Sequence, residues 1–149
     1  MPEFANTNRK GRKSVAVKII IAVVLVALAV GIYFSANYIW QLREYKKRIA
    51  SISVSNVNLA EMPDGSYTGS YDAIMIAAKV RVDVQSHHIT AINLIYHKNE
   101  RGKRAEAIVN EIKTAQSLKV DTITGATNSS KVILKAVQNA LNSGLHAKP

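Results

Sequence analysis

The chain has 149 residues, 48% of them hydrophobic, no cysteine and a formal net charge of +10. Without cysteine there can be no disulfide, no thiolate metal site and no iron–sulfur ligation. The length allows one modest domain plus additional segments, and so large a positive charge points to nucleic acid only if it gathers on that domain among aromatic residues.

It does not gather there. Arg9, Lys10, Arg12, Lys13 and Lys18 stand before a long apolar run, against the single acid Glu3, and Arg43, Lys46, Lys47 and Arg48 stand just after it, against Glu44. Most of the excess positive charge therefore flanks one segment, where membrane topology and anionic lipid explain it without nucleic acid. That segment, Ile19 to Ala36, has no charged residue. Carried on to Trp40 it would span roughly 33 Å as a helix, enough to cross a hydrocarbon core of about 30 Å. Tyr33, Tyr38 and Trp40 fall toward its end, where aromatic rings favour the interface. The run is too long for the core of a cleaved signal peptide, so the expectation is an uncleaved, single-pass anchor. The heavier basic flank on the N-terminal side predicts a cytoplasmic N-terminus and an extracytoplasmic C-terminal domain in the cell membrane.

The expected layout is a basic tail over 1–15, disordered through about residue 13, and a transmembrane helix over 16–40 starting near Ser14. A juxtamembrane helix and polar linker then cover 41–63, and a folded domain covers 64–145. "DGSYTGSY" reads as a turn entering a strand. In "IMIAAKVRVDV", Ile74, Ile76, Ala78, Val80, Val82 and Val84 occupy one face, with Lys79, Arg81 and Asp83 on the other, the pattern of a half-buried strand. "QSHH" reads as a turn, "ITAINLIYH" as the hairpin partner, and "ERGK" (100–103) as a charged loop. "RAEAIVNEIKTAQ" has helical spacing at Ala105, Ile108, Val109 and Ile112. A last helix, from about Ser129, carries Val132, Ile133, Ala136, Val137, Ala140 and Leu141 on one stripe, with Gly144 as its stop. Strands followed by helices packed on one face make a small α+β domain, an antiparallel sheet with helices.

The most informative stretch is "DTITGATNSS", Asp121 to Ser130, hydroxyl-rich and opening directly onto that last helix. A helix start offers unpaired N–H groups and partial positive charge to an anion such as phosphate. Gly125 permits close approach and Ala126 adds no bulk, so a phosphate could sit there without Lys or Arg. An ordinary N-cap made by Ser129 or Thr127 is the competing reading. The spacing matches neither a P-loop nor a dinucleotide fingerprint.

Asp121, Thr124, Gly125, Ala126, Thr127 and Ser129 together closely resemble the flavinylation motif of FMN-binding domains. Such domains occur in flavin-carrying subunits of sodium-pumping NADH:quinone and ferredoxin-linked oxidoreductases, and in small membrane-anchored electron carriers of bacteria. "DGSYTGSY" resembles the opening of that domain, and the segment from His97 resembles the part preceding the motif, so the likeness runs from about Asp64 to Leu141. It implies that a flavin transferase moves FMN from FAD onto the Thr127 hydroxyl as a phosphoester. Asp121, Thr124, Gly125, Ala126 and Ser129 would then be recognition positions. His97 is expected either as a contact near the flavin entrance or as a surface histidine at a strand end. The resemblance implies a redox carrier facing membrane or extracellular partners, with no catalytic residue of its own. A glycine-rich segment common after the opening is here the plain strand "AIMIAAKVRV", which leaves open how the flavin ring is covered. Two other readings compete: a membrane-anchored binding module without flavin, and a flavin-dependent reductase of a terminal acceptor.

Of the other candidates, His87 and His88 read as turn residues rather than a metal pair, and no metal site is expected. Tyr67 and Tyr71 are expected either beside the flavin ring or filling the domain edge. Glu100, Arg101 and Lys103 read as a solvated loop with a possible docking role.

Overall fold

The computed structural model describes residues 7–99 and 102–146, with side chains from residue 15 onward. Residues 1–6 of the expected tail, the Arg9, Lys10, Arg12 and Lys13 side chains, and Glu100 and Arg101 of the expected loop lie outside what is described. Contacts divide the chain into two compact units, Met1–Trp40 and Gln41–Pro149.

A single helix, α1 (Thr7–Ser51), begins at Thr7 rather than near Ser14 and continues through the basic flank. Residues 15–40 are exposed throughout, Ile32, Tyr33 and Phe34 among them. The helix is long and apolar enough to cross a membrane, with a mean hydropathy of 3.0 over its most apolar stretch.

In the second unit, the end of α1 and the segment after it belong to the folded body. Ile49, Val57 and Met62 are buried, and Tyr45, Ile52, Val54 and Leu59 pack against the same core. The stretch read as a polar linker therefore lies on the domain, closing with a 3-10 turn at Leu59–Glu61. Its polar atoms are partners for a later helix, α3 (Thr127–His146): Lys135 Nζ donates to Ser53 O at 3.0 Å and Gln138 Nε2 to Ser55 Oγ at 2.6 Å.

Three antiparallel strands follow in the order β1 (Gly65–Asp72), β2 (Ala77–Gln85), β3 (His88–Lys98). "DGSYTGSY" is thus itself an edge strand rather than a turn leading to one. Ala78, Val80, Val82 and Val84 are buried on one face, as the alternation predicts. Each fully buried valine of this row contributes about 1.5–3 kcal/mol over an exposed one. Ile74 departs from the expectation: it lies outside the strand, with φ 72°. The helix expected from Arg104 is a 3-10 segment, Lys103–Ala107, running into α2 (Ile108–Ala115).

The last helix, α3, starts at Thr127, before Ser129, and runs straight through Gly144. Gly144 is therefore not a stop. A Cβ there would come within 2.7 Å of Tyr67 Cζ, and one on Gly69 within 2.7 Å of Ala140 Cα. Two missing side chains let α3 lie directly on β1, antiparallel to it. Val132, Ile133, Ala136, Val137 and Ala140 are wholly buried beneath it and Leu141 nearly so. This packing sets the start of α3 at the end of the sheet where β1 finishes and β3 runs out.

Candidate functional site

At that end the chain arrives through the irregular stretch Val120–Ile123 and turns sharply. Ala126 N donates to Ile123 O at 2.9 Å, and Gly125, third of the four residues, has φ 77°. A four-residue turn with positive φ at its third position calls for glycine. The first helical bond then runs from Ser130 N to Ala126 O at 2.9 Å. Ala126 therefore occupies the cap position, and neither Ser129 nor Thr127 is the N-cap. The hydroxyl that ties the turn to the helix belongs to Ser130: Oγ accepts from Ile123 N at 3.1 Å and donates to Ala126 O at 3.0 Å.

The remaining hydroxyls divide by direction. Ser129 is buried against the start of the 3-10 segment at Gly102. Thr127 and Thr124 are exposed, as are Gly125 and Asp121, while Ala126 is buried. Thr127 is the first residue of α3, where the backbone N–H groups have no partner within the helix and the helix dipole is positive. Among the described residues, no side-chain hydrogen bond engages the Thr127 hydroxyl. The structure thus brings Asp121, Thr124, Gly125, Ala126 and Thr127 together on one turn, with Ser129 directly behind it.

Sequence reasoning missed two neighbours. Arg104, from the 3-10 segment, extends its guanidinium to about 4.0 Å from where a Gly125 Cβ would stand, so the turn has a cation beside it after all. Arg104 also lines an open cleft of about 610 Å³ with Glu111, Lys119, Asp121 and Thr124. The second neighbour is Tyr45, near the end of α1, whose hydroxyl accepts from Asn128 Nδ2 at 2.9 Å. One turn further on, Arg48 Nη1 donates to Asp72 O at 3.2 Å. The end of α1 therefore holds both the Asp121–Asn128 turn and the β1–β2 turn. All these contacts join residues far apart in sequence, and no local pattern signals them.

His97, expected at the surface or at an entrance, has a side chain only 3% exposed and pairs with Glu106 at 3.1 Å. Tyr67 lies at the other end of β1, its hydroxyl donating to Pro63 O at 2.8 Å, and fills the domain edge. Tyr71 packs against the core. His87 and His88 sit at the β2–β3 turn, far from the Thr127 end of the sheet. Among the described residues no group of acidic or histidine side chains could hold a metal ion.

The residues present fit a phosphate-bearing group of FMN size. A glycine turn clears space, a helix start and Arg104 favour the anion, and an open cleft is lined by Asp121 and Thr124 of the same stretch. Compared with known proteins, residues 75–142 match the family model described as the FMN-binding domain. No curated protein matches the chain. The matched segment contains β2, β3, α2, the turn and most of α3, and the cofactor such a domain indicates is FMN.

Proposed function

We infer that this FMN-binding domain on an apolar anchor is an electron carrier that holds its flavin covalently, through a phosphoester to Thr127. FMN, when bound, takes up and releases one or two electrons, and the protein supplies position and electrostatics. A flavin transferase would form the link from FAD: the Thr127 oxygen bonds to the FMN phosphorus, the pyrophosphate bond breaks, AMP leaves and the hydroxyl proton is lost. The observation that carries this reading is Thr127 itself, an exposed hydroxyl on the first residue of α3 beside a positive-φ glycine. Arg104 and the helix start favour the anionic phosphodiester that results. The cap reading loses its main support, because Ala126 takes that place. Among the described residues no nucleophile–base pair accompanies the turn, and the chain is read as the transferase's substrate and a relay.

The basic flanks of the apolar helix favour an N-terminus in the cytoplasm and the flavin domain outside it. A covalent tether then prevents loss of a soluble cofactor. Protease added to intact spheroplasts should digest the domain, and digestion only after lysis would reverse the orientation.

The attachment is tested by co-producing the chain with a flavin transferase and recording flavin fluorescence after denaturing electrophoresis. Thr127→Ala should abolish the signal and Thr127→Ser should retain part of it. The substitution should shift stability by no more than about 0.5 kcal/mol, since the side chain is exposed and unbonded. Covalent flavin persisting on Thr127→Ala would remove Thr127 as acceptor.

A further inference from the structure

At the same end of the sheet as the turn is a buried imidazole with half of its hydrogen-bonding capacity unused. Among the described residues, His97 Nε2 is the one buried side-chain nitrogen or oxygen without a partner. Native proteins leave few such groups unsatisfied, and those that persist commonly mark a place where something else binds.

The register places this nitrogen. His97 pairs with Ala78, which pairs with Tyr71, so the three side chains share one sheet face. Gly69 and Val80 lie two residues along on the same face, where the absent Gly69 Cβ would meet α3. His97 therefore lies on the face covered by α3, at its Thr127 end. The 3-10 segment closes over it: Glu106 supplies the carboxylate, and Gly102 packs on Ser129 in the first turn of α3.

The ring's other nitrogen determines what Nε2 can do. Nδ1 lies 3.1 Å from Glu106 Oε1 and 3.2 Å from Asn99 Nδ2. It cannot donate to the carboxylate and accept from the amide at once. The Asn99 amide also has the His97 carbonyl oxygen at 3.4 Å, whereas the carboxylate oxygen can only accept. The proton on Nδ1 thus faces Glu106, and in the imidazole form Nε2, buried and facing no protein partner, carries the ring's lone pair.

We propose that His97 Nε2 is a cofactor-positioning group, accepting a hydrogen bond from an O–H or N–H of the bound flavin. Oxidised FMN has such donors in its ribityl hydroxyls and its ring imide. Glu106 fixes the tautomer, so that the acceptor is in place before the flavin arrives. The inference rests on FMN as the cofactor and is independent of the covalent link to Thr127.

The test uses the full chain, nitrogen-15 labelled and held in detergent micelles, in three samples: flavin-free, loaded by co-produced transferase, and saturated with added FMN. The His97 Nε2 resonance should shift on loading by either route. His87, His88 and His146 are exposed and should stay in place. Flavin content is measured on the same samples before and after denaturation. One flavin per chain with an unmoved His97 resonance overturns the proposal while leaving the attachment reading intact. A shift with FMN that washes away on denaturation supports the proposal and removes the covalent reading. A chain that takes up flavin by neither route overturns both.

Discussion

The two ends of the sheet are turned in different ways, and both use left-handed backbone. At one end β2 passes to β3 through Ser86 and His87, with φ of 50° and 63°. Two-residue hairpins favour that conformation because its twist matches the flanking strands, and the turn is braced by Ser86 N donating to Asp64 Oδ1 at 2.7 Å. At the other end β1 passes to β2 through residues 73–76, and the left-handed residue is Ile74, a β-branched side chain for which φ of 72° is a real outlier. Pairing does not demand it. Three contacts impose it: Ile74 N donates to Asp72 Oδ1 at 2.6 Å, Lys98 Nζ to Ile74 O at 2.6 Å, and Arg48 Nη1 to Asp72 O at 3.2 Å. Strain of this kind survives where the surroundings over-determine the backbone, and it collects at binding sites. Here it lies at the same end as Thr127, Arg104 and His97.

The largest effect should come from disturbing how that end is closed. A Cβ on Gly102 would stand 2.7 Å from Ser129 Cβ, an atom fixed to the first turn of α3. Gly102→Ala should therefore push the 3-10 segment off the helix at a cost of about 2–3 kcal/mol, within the range for overpacking. Covalent flavin should fall with it, because Arg104 and Glu106 ride on that segment. Urea unfolding and in-gel fluorescence measure the two. Pairing the change with Ser129→Gly should recover part of the loss. If Gly102→Ala is neutral in both measurements, the close packing of this end does not hold.

The middle-sized effect concerns Ile74. Left-handed backbone costs roughly 1–2 kcal/mol in most residues, and asparagine tolerates it best after glycine. Part of that relief is offset by losing a half-buried apolar side chain, so Ile74→Asn should raise the unfolding free energy by about 1 kcal/mol or slightly less. A destabilised variant would mean that the Ile74 side chain contributes more than its backbone strain costs.

Much of this fold was legible in sequence because it rests on local periodicity. The alternation at Ala78, Val80, Val82 and Val84 and the apolar stripe of α3 both translate into burial. The same alternation misled at Ile74 and Ile76, since an apolar spacing of two continues through a turn without showing where the backbone leaves the strand. The segment at 52–63 was misread for the opposite reason. Its serines and asparagines look solvated, yet Ser53, Ser55 and Asn56 accept hydrogen bonds from Lys135, Gln138 and Leu118. At the site, the motif residues could be read from one stretch, whereas the burial of His97 and the approach of Arg104 and Tyr45 arise only on folding. The competing cap reading fell on Thr127 and Ser129 because several neighbouring hydroxyls can serve, whereas Ser130 closes the turn and also bonds back to Ala126 O.

The smallest effect should appear at the hairpin end, where left-handed backbone is ordinary and the residue filling it is merely suboptimal. Asparagine suits the first central position of such a turn better than serine, because it tolerates positive φ more readily. The contacts that brace the turn would be untouched. The Ser86 N–H donates through the backbone, and the His88 ring bonds to the Ser86 carbonyl oxygen at 2.7 Å. Ser86→Asn should therefore raise the unfolding free energy by only a few tenths of a kcal/mol, about 0.3, without any new contact. Flavin attachment should be unchanged, since the substitution lies at the opposite end of the strands from Thr127. Urea midpoints and in-gel fluorescence, measured beside Ile74→Asn, separate the two ends. If Ser86→Asn lowers flavin loading as much as changes around Ile74 do, the strain at Ile74 is not specific to the site, and the contrast between the two turns has no functional content.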